Sequence, residues 1–344
     1  MTTTPSAPST LRSRRVKTWS SFGALGRKPN DYEIVTHAMN HTIGATPLEM
    51  GPEVHGNRWL LEHRDGIALK ASGLDGFRDP DRMTYRKYTQ AMDEQETYID
   101  GLLQHYGDVR QSDRALSPAT LDLLAVGMTP TRYLGHGLQM ISAYVQQLAH
   151  SSYLANCAAF QTADQLRCVQ RVAYRTRQLA DAHPDRGFGT AERQCWEGDA
   201  DWQGARVAIE KLMVAFDWDQ AFVGLNLVIK PVADELFLKA FADLAREHGD
   251  ELDALISENL YLDALRSRRW TVDACKALVA ADAGNADILR ERVSQWRPFG
   301  EKMIESASRL LARHALTSKA STIVDRASTG WSAFLAEAGV GASA

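Results

Sequence analysis

Two short segments of this 344-residue chain place the same residue types in the same order: Asp164-Gln-Leu-Arg-Cys168 and Asp263-Ala-Leu-Arg-Ser267, 99 residues apart. Each lies inside a long run with helical periodicity and neither glycine nor proline. Residues three apart on a helix share a face. Gln165 therefore stands beside Cys168, and Ala264 beside Ser267. A carboxylate and an imidazole at such a pair make half of a metal chelate, and two such helices face to face make a two-metal site. Neither pair here holds that donor set. The flanking Asp164/Arg167 and Asp263/Arg266 pairs have the i,i+3 spacing common on solvated helix surfaces. If the two helices face one another, the same four residues become buried ion pairs that cross-link them.

Other chemistries leave no pattern in the chain. There is no Glu-x-x-His, no His-Glu-x-x-His, no phosphate-binding glycine loop, no dinucleotide fingerprint and no Gly-x-Ser-x-Gly. Glu33 and His37 are four apart but fall in a stretch without helical context, and read as chance. His136, beside Tyr133 and Met140 in helical register, reads as a packing residue. Asp93, Glu94 and Glu96 lie on one expected helix, and Asp217 and Asp219 open another. Without histidine partners they read as solvated or helix-start charges, because imidazole supplies much of the affinity for ferrous iron.

The elements that would position these residues are all helical. Forty-four per cent apolar residues suit a chain with a substantial core. A net charge of −4, with both signs interspersed, gives no broad surface for nucleic acid. Cys157, Cys168, Cys195 and Cys275 are scattered, which argues against zinc or a disulfide framework and suits the cytoplasm. No apolar run is long enough to span a membrane, and residues 1–10 lack a signal-peptide core. Residues 1–81 hold six of the eleven prolines, many glycines and little periodicity, and read as an extended N-terminal arm that orders on a partner. The basic cluster Arg12, Arg14, Arg15 and Lys17, followed by Trp19 and Phe22, falls in it. From 82 to 344 the periodicity predicts a helical domain. Its helices are expected at 82–106, 117–149 with a break near Pro130, 152–182, 190–196, 201–215, 217–246 with a kink or bulge at Pro231, 250–281, 285–314 and 319–337. Gly249 gives no clear stop signal. The eight tryptophans read as core, some as interface anchors.

Several ordered blocks carry a resemblance. They are Arg27-Lys-Pro-Asn-Asp-Tyr-Glu33, Phe77-Arg-Asp-Pro-Asp81, Tyr85-Arg86-x-Tyr88, Asp93-Glu-Gln-Glu-Thr-Tyr98, Thr129-Pro-x-Arg-Tyr133, Leu138-Gln-Met140, Asn156-Cys157 and Thr162-Ala-Asp164. Ala173-Tyr-Arg-Thr-Arg177, Gly187-Phe-Gly189, Trp202-Gln-Gly204, Asp217-Trp218, Lys230-Pro231 and Arg268-Arg-Trp270 follow. From about Lys17 to Trp296 the chain resembles the hydroxylase β (small) subunit of bacterial multicomponent di-iron monooxygenases, in the toluene/alkene branch.

The resemblance implies an all-α, ferritin-like (ribonucleotide-reductase-like) bundle, metal-free, with an extended N-terminal arm. Gln165, Cys168, Ala264 and Ser267 then stand at degenerate ligand positions. Asp164, Arg167, Asp263 and Arg266 become structural relic ion pairs. Arg14, Arg15, Trp19, Phe22, Tyr32 and Phe77 are expected at the subunit interface. It further implies a non-catalytic scaffold with no cofactor of its own. The di-iron centre lies in a partner α subunit, within an (αβγ)2 or αβ assembly that includes a γ subunit. An effector (coupling) protein and a reductase supply gating and NADH-derived electrons. The expected reaction is epoxidation of a short alkene; the alternative is hydroxylation of an aromatic ring of the toluene or phenol type. An independent di-iron enzyme and a helical binding protein are the other two classes.

Overall fold

Capping side chains set many of the helix starts. Ser117 accepts the Thr120 N–H, and Pro118 takes the first helical position of α4 (Pro118–Leu123). Thr84 caps α3 (Tyr85–Leu102), Ser151 caps α6 (Ser152–Ala182) and Asp250 caps α12 (Glu251–Ala281) in the same way. The computed structural model describes residue 22, residues 25–37, residue 39 and residues 55–341. Among them the remaining helices are α1 (Asp31–Thr36), α2 (His55–Asp65), α5 (Thr131–Gln147), α7 (Glu192–Gly198), α8 (Gln203–Leu212), α9 (Trp218–Val223), α10 (Lys230–Asp234), α11 (Phe241–Glu247), α13 (Asn285–Ala312) and α14 (Ala320–Glu337). No strand occurs among the described residues. The fold is all-α and ferritin-like.

Four segments widen into π-turns: Leu103–Val109, Leu124–Met128, Gly224–Ile229 and Glu235–Ala240. The third ends two residues before Pro231, so the wider hydrogen-bond spacing absorbs the N–H that proline lacks. α9, α10 and α11 therefore form one continuous central rod through residues 218–247. Every residue from 221 to 237 is buried, as expected of a helix surrounded on all sides. Tryptophans brace the wide turns. Trp202 donates its indole N–H to Val126 O at 3.0 Å, and Trp331 donates to Leu227 O at 2.8 Å. Trp218 and Trp202 are fully buried and stack on Phe222 and Phe237.

The short Leu148–Ser151 connection makes α5 and α6 antiparallel neighbours. α6 and α12 are antiparallel as well, because Asp164 meets Arg266 while Arg167 meets Asp263. With the central rod, these helices enclose the main core. A smaller cluster of Ile99, Leu103, Leu252, Ile256 and Leu260 seats α3 against α12. No helix among the described residues is long and apolar enough to cross a membrane.

Two sequence expectations are corrected. Gly249 does end a helix: it adopts φ +76°, a left-handed conformation cheap only for glycine, between α11 and α12. The stretch read as irregular over 1–81 contains α1 and α2. α1 is too short to show periodicity and is held from outside. Asn30 and Glu33 form a reciprocal capping box, Glu33 pairs with Arg27 and Arg78, and the Tyr32 hydroxyl accepts the Asp79 N–H.

Candidate functional site

α6 and α12 present their charged residues to one another, and the partners are exchanged between helices. Arg167 donates to Asp263 Oδ2 at 2.7 Å, to Asn259 Oδ1 at 2.6 Å and to Glu96 Oε1 of α3 at 2.5 Å. Arg266 donates to Asp164 Oδ1 at 2.5 Å and to Asp263 Oδ1 at 2.9 Å. Arg171, one turn beyond Arg167, also pairs with Glu96. Tyr88 of α3 adds a hydrogen bond to Asp164 Oδ1 at 2.9 Å and stacks on Phe160. Asp164, Arg167, Asp263 and Arg266 are all less than a tenth exposed. One further turn along α6, Arg175 lies between Asp253 of α12 and Asp113. Arginines at 167, 171 and 175 thus form one stripe that ties α6 to α3 and α12.

Burial dominates the electrostatics of this lattice. It pushes the Asp164 carboxyl up to about 6, with the like charge of Asp263 adding to the effect against the pull of Arg266. The Arg266 guanidinium is held charged above its ordinary range by Asp164. Such pairs resist separation, because removing one partner leaves a buried charge alone.

Beside the lattice is a cavity of about 60 Å³. Four elements line it: α5 with Leu134, Gly135 and Leu138, α6 with Gln165 and Cys168, the central rod with Lys230 and Asp234, and α12 with Ser257 and Ala264. Gln165, Cys168 and Ala264, three of the four expected ligand positions, line this cavity and Ser267 borders a smaller one; their donor set does not suit a metal ion. Ala264 offers no donor. Ser267 Oγ gives its hydrogen to Ala264 O at 2.8 Å. Burial pushes the Cys168 thiol up to about 12, so it stays protonated. In place of an unshared carboxylate, Asp234 is paired with the Lys230 ammonium at 2.8 Å, both groups almost wholly buried. Among the described residues no group of three or more His, Cys, Asp or Glu side chains is placed to hold a metal ion.

The other sequence candidates are dispersed. Asp93 and Glu94 are exposed on α3. Asp217 is half-exposed and meets His63, and buried Asp219 pairs with Arg292. His136 is exposed rather than packed, since it lies on the outer face of α5. Glu33 lies within α1 and His37 follows its last turn, contrary to the reading as irregular chain; Glu33 turns to arginines, and the His37 ring lies near Phe22 and Tyr153. Tyr32 and Phe77 are buried within this chain, Tyr32 against Tyr153. Arg14, Arg15 and Trp19 lie outside the described residues. Sequence reasoning missed Lys230/Asp234 and Arg175/Asp253/Asp113. The first had a visible signal, a lysine and an aspartate four apart inside an apolar run.

Comparison with known proteins places these features in context. A family model for methane/phenol/alkene hydroxylases matches residues 59–282. The chain is 37% identical over 306 residues to the hydroxylase component subunit beta of the toluene-4-monooxygenase system of Ectopseudomonas mendocina, covering 88% of this chain and 92% of that one. It is 21% identical over 299 residues to the hydroxylase component small subunit of propane 2-monooxygenase from Rhodococcus jostii (strain RHA1), covering 83% and 77%. A chain of toluene 4-monooxygenase, solved with toluene bound in the resting active site, superimposes with a TM-score of 0.80 at 36% identity, covering 86% of this chain and 97% of that one. A chain of phenol hydroxylase from Pseudomonas sp. OX1 shares the fold, with a TM-score of 0.80 at 17% identity over 97% and 98%.

Proposed function

The chain belongs to the methane/phenol/alkene hydroxylase family, as the β subunit of the hydroxylase component of a multicomponent monooxygenase, and from that premise we propose that its own task is structural. It holds a rigid helical bundle against an α subunit whose di-iron centre inserts one oxygen atom of O2 into a small hydrocarbon. The observation that carries this reading is a set of internal ion pairs beside positions that hold no metal donor set. Gln165, Cys168, Ala264 and Ser267 supply no chelate, while Lys230–Asp234 and the arginine lattice satisfy the buried charges among themselves.

The remaining components follow from the same reading. A γ subunit completes an (αβγ)2 or αβ assembly in the cytoplasm, with an effector protein and a reductase delivering NADH-derived electrons. The N-terminal arm, including Arg14, Arg15, Trp19 and Phe22, reaches onto the α subunit. For the substrate, the 37%-identical relative is named for toluene, which favours an aromatic ring over the short alkene. The test is to produce the hydroxylase with and without this chain. Soluble, active α subunit should accumulate only when the chain is present. Full turnover by an α subunit made without it contradicts the proposal.

A further inference from the structure

The start of α12 holds more buried negative charge than its one guanidinium can serve. Asp113, Asp250 and Asp253 are all less than a tenth exposed, and Arg175 is the arginine among them. A guanidinium has five N–H donors. In Arg175 all five are committed. Nε donates to Asp253 Oδ1 at 2.8 Å, and Nη2 to Asp253 Oδ2 at 2.7 Å and Asp113 Oδ1 at 3.0 Å. Nη1 donates to Asp113 Oδ2 at 2.9 Å and to Gln178 Oε1 at 2.8 Å. Nothing remains for Asp250.

Asp250 has one use for its side chain: Oδ1 accepts the Asp253 N–H at 3.2 Å and caps α12. Its other oxygen, Oδ2, is fully buried and has no hydrogen-bond donor among the described residues. Other charged groups nearby are occupied. Glu251 pairs with Arg246, His248 bridges Thr120 Oγ1 and His314 O, His183 meets Asp113 O, and Arg110 lies over the Tyr106 ring. A buried carboxylate oxygen without a donor is costly. The same oxygen carrying a hydrogen becomes a donor, and the neighbouring Asp253 carboxylate has lone pairs to receive it.

We propose that Asp250 and Asp253 share a single proton, making the start of α12 a built-in proton-binding site that locks the junction of α12, α6 and residues 112–115. Burial and the like charge of Asp253 both push the Asp250 carboxyl well above its ordinary range, which agrees in direction. Asp250 also borders a surface pocket of about 340 Å³ shared with Ser112, Ser117, Thr120 and His248, which offers a route for proton exchange with solvent. Loss of the proton places two adjacent carboxylates at the cap and loosens it. The junction therefore opens more readily as pH rises.

Asp250→Asn provides the test. Asparagine keeps the capping oxygen, and its amide donates to Asp253 as the protonated acid would. Amide hydrogen exchange across residues 250–256 is measured by mass spectrometry in the assembled hydroxylase at several pH values, corrected for intrinsic exchange. In the wild type the opening constant should rise with pH, by up to about tenfold per unit while one proton is linked. In Asp250→Asn it should be flat and equal to the low-pH wild-type value. A protonated-carboxyl infrared band present in the wild type above the range in which Asp164 titrates should also be absent from the variant. A wild-type opening constant independent of pH, or a variant with the same slope, overturns the proposal. Failure of the subunits to assemble at all would instead count against the β-subunit reading.

Discussion

Replacing Arg167 by leucine removes the centre of the α6–α12 lattice, and the structure sets the size of the effect. Arg167 is 7% exposed and donates three hydrogen bonds, to Asp263, Asn259 and Glu96. Glu96 is about a third exposed and keeps Arg171, so its loss counts for little. Asp263 is nearly buried and keeps only Arg266 at 2.9 Å. Breaking a buried pair by removing one partner costs about 3–5 kcal/mol; with Arg266 still in place, the lower end of that range applies. An unfolding entropy of about 2.1 cal/mol/K per residue over 344 residues gives roughly 0.7 kcal/mol/K, so the melting point should fall by roughly 4 °C. Asp263→Leu takes one partner from each of Arg167 and Arg266, which keep Glu96 and Asp164 respectively, and should cost about as much. The double variant should be less destabilised than the sum of the singles, by about 1–3 kcal/mol, because its two losses are one interaction. Arg193→Leu, in the exposed Arg193–Glu197 pair, serves as control and should leave the melting point close to that of the wild type. Calorimetric melts of the four variants beside the wild type decide. If Arg167→Leu melts with the control, or the double variant shows strict additivity, the lattice does not hold the helices together.

Two further outcomes follow from other buried charges. Lys230→Met should destabilise the bundle by about 3–5 kcal/mol because it leaves Asp234 buried and unpaired, and adding Asp234→Leu should recover most of that loss in the same melts. Glu33 is drawn down to about 2 chiefly by Arg27, with the Asn30 N–H and Arg78 assisting. A lowered carboxylate contributes stability that is complete above its ordinary 4.5 and is lost as pH falls toward 2. Acid titration of the melting point should therefore be shallower in Glu33→Gln than in the wild type; identical slopes would exclude Glu33 as a contributor.

How much of this was legible in the sequence depends on the range over which each feature is determined. α6 could be read end to end, because Ser151 caps it, no proline or glycine interrupts it, and its apolar spacing persists for 31 residues. α4 was announced by Ser117-Pro118. The four π-turns were not legible, since one extra residue per turn hardly disturbs a 3.6-residue pattern; only Pro231 marked one of them. α1 was hidden because it is only six residues long and part of what holds it, Arg78 and Asp79, lies more than 40 positions away. The lattice was half legible. The sequence supplied its four charges and the expectation that they cross-link two facing helices, but not the partner of each: Arg167 and Asp164 both take theirs from α12. Antiparallel packing decides that exchange, and spacing along one helix carries no record of it. Arg175 was obscure for the same reason, its partners lying 62 and 78 positions away.

The central claim is that this chain supports oxygen chemistry performed by a neighbouring subunit. It is tested most directly by counting iron in each subunit of the active hydroxylase after native separation, alongside turnover of the assembled enzyme. The account predicts iron with the α subunit and no stoichiometric iron in this chain. About two irons per copy of this chain, the content of a working di-iron bundle, would contradict it.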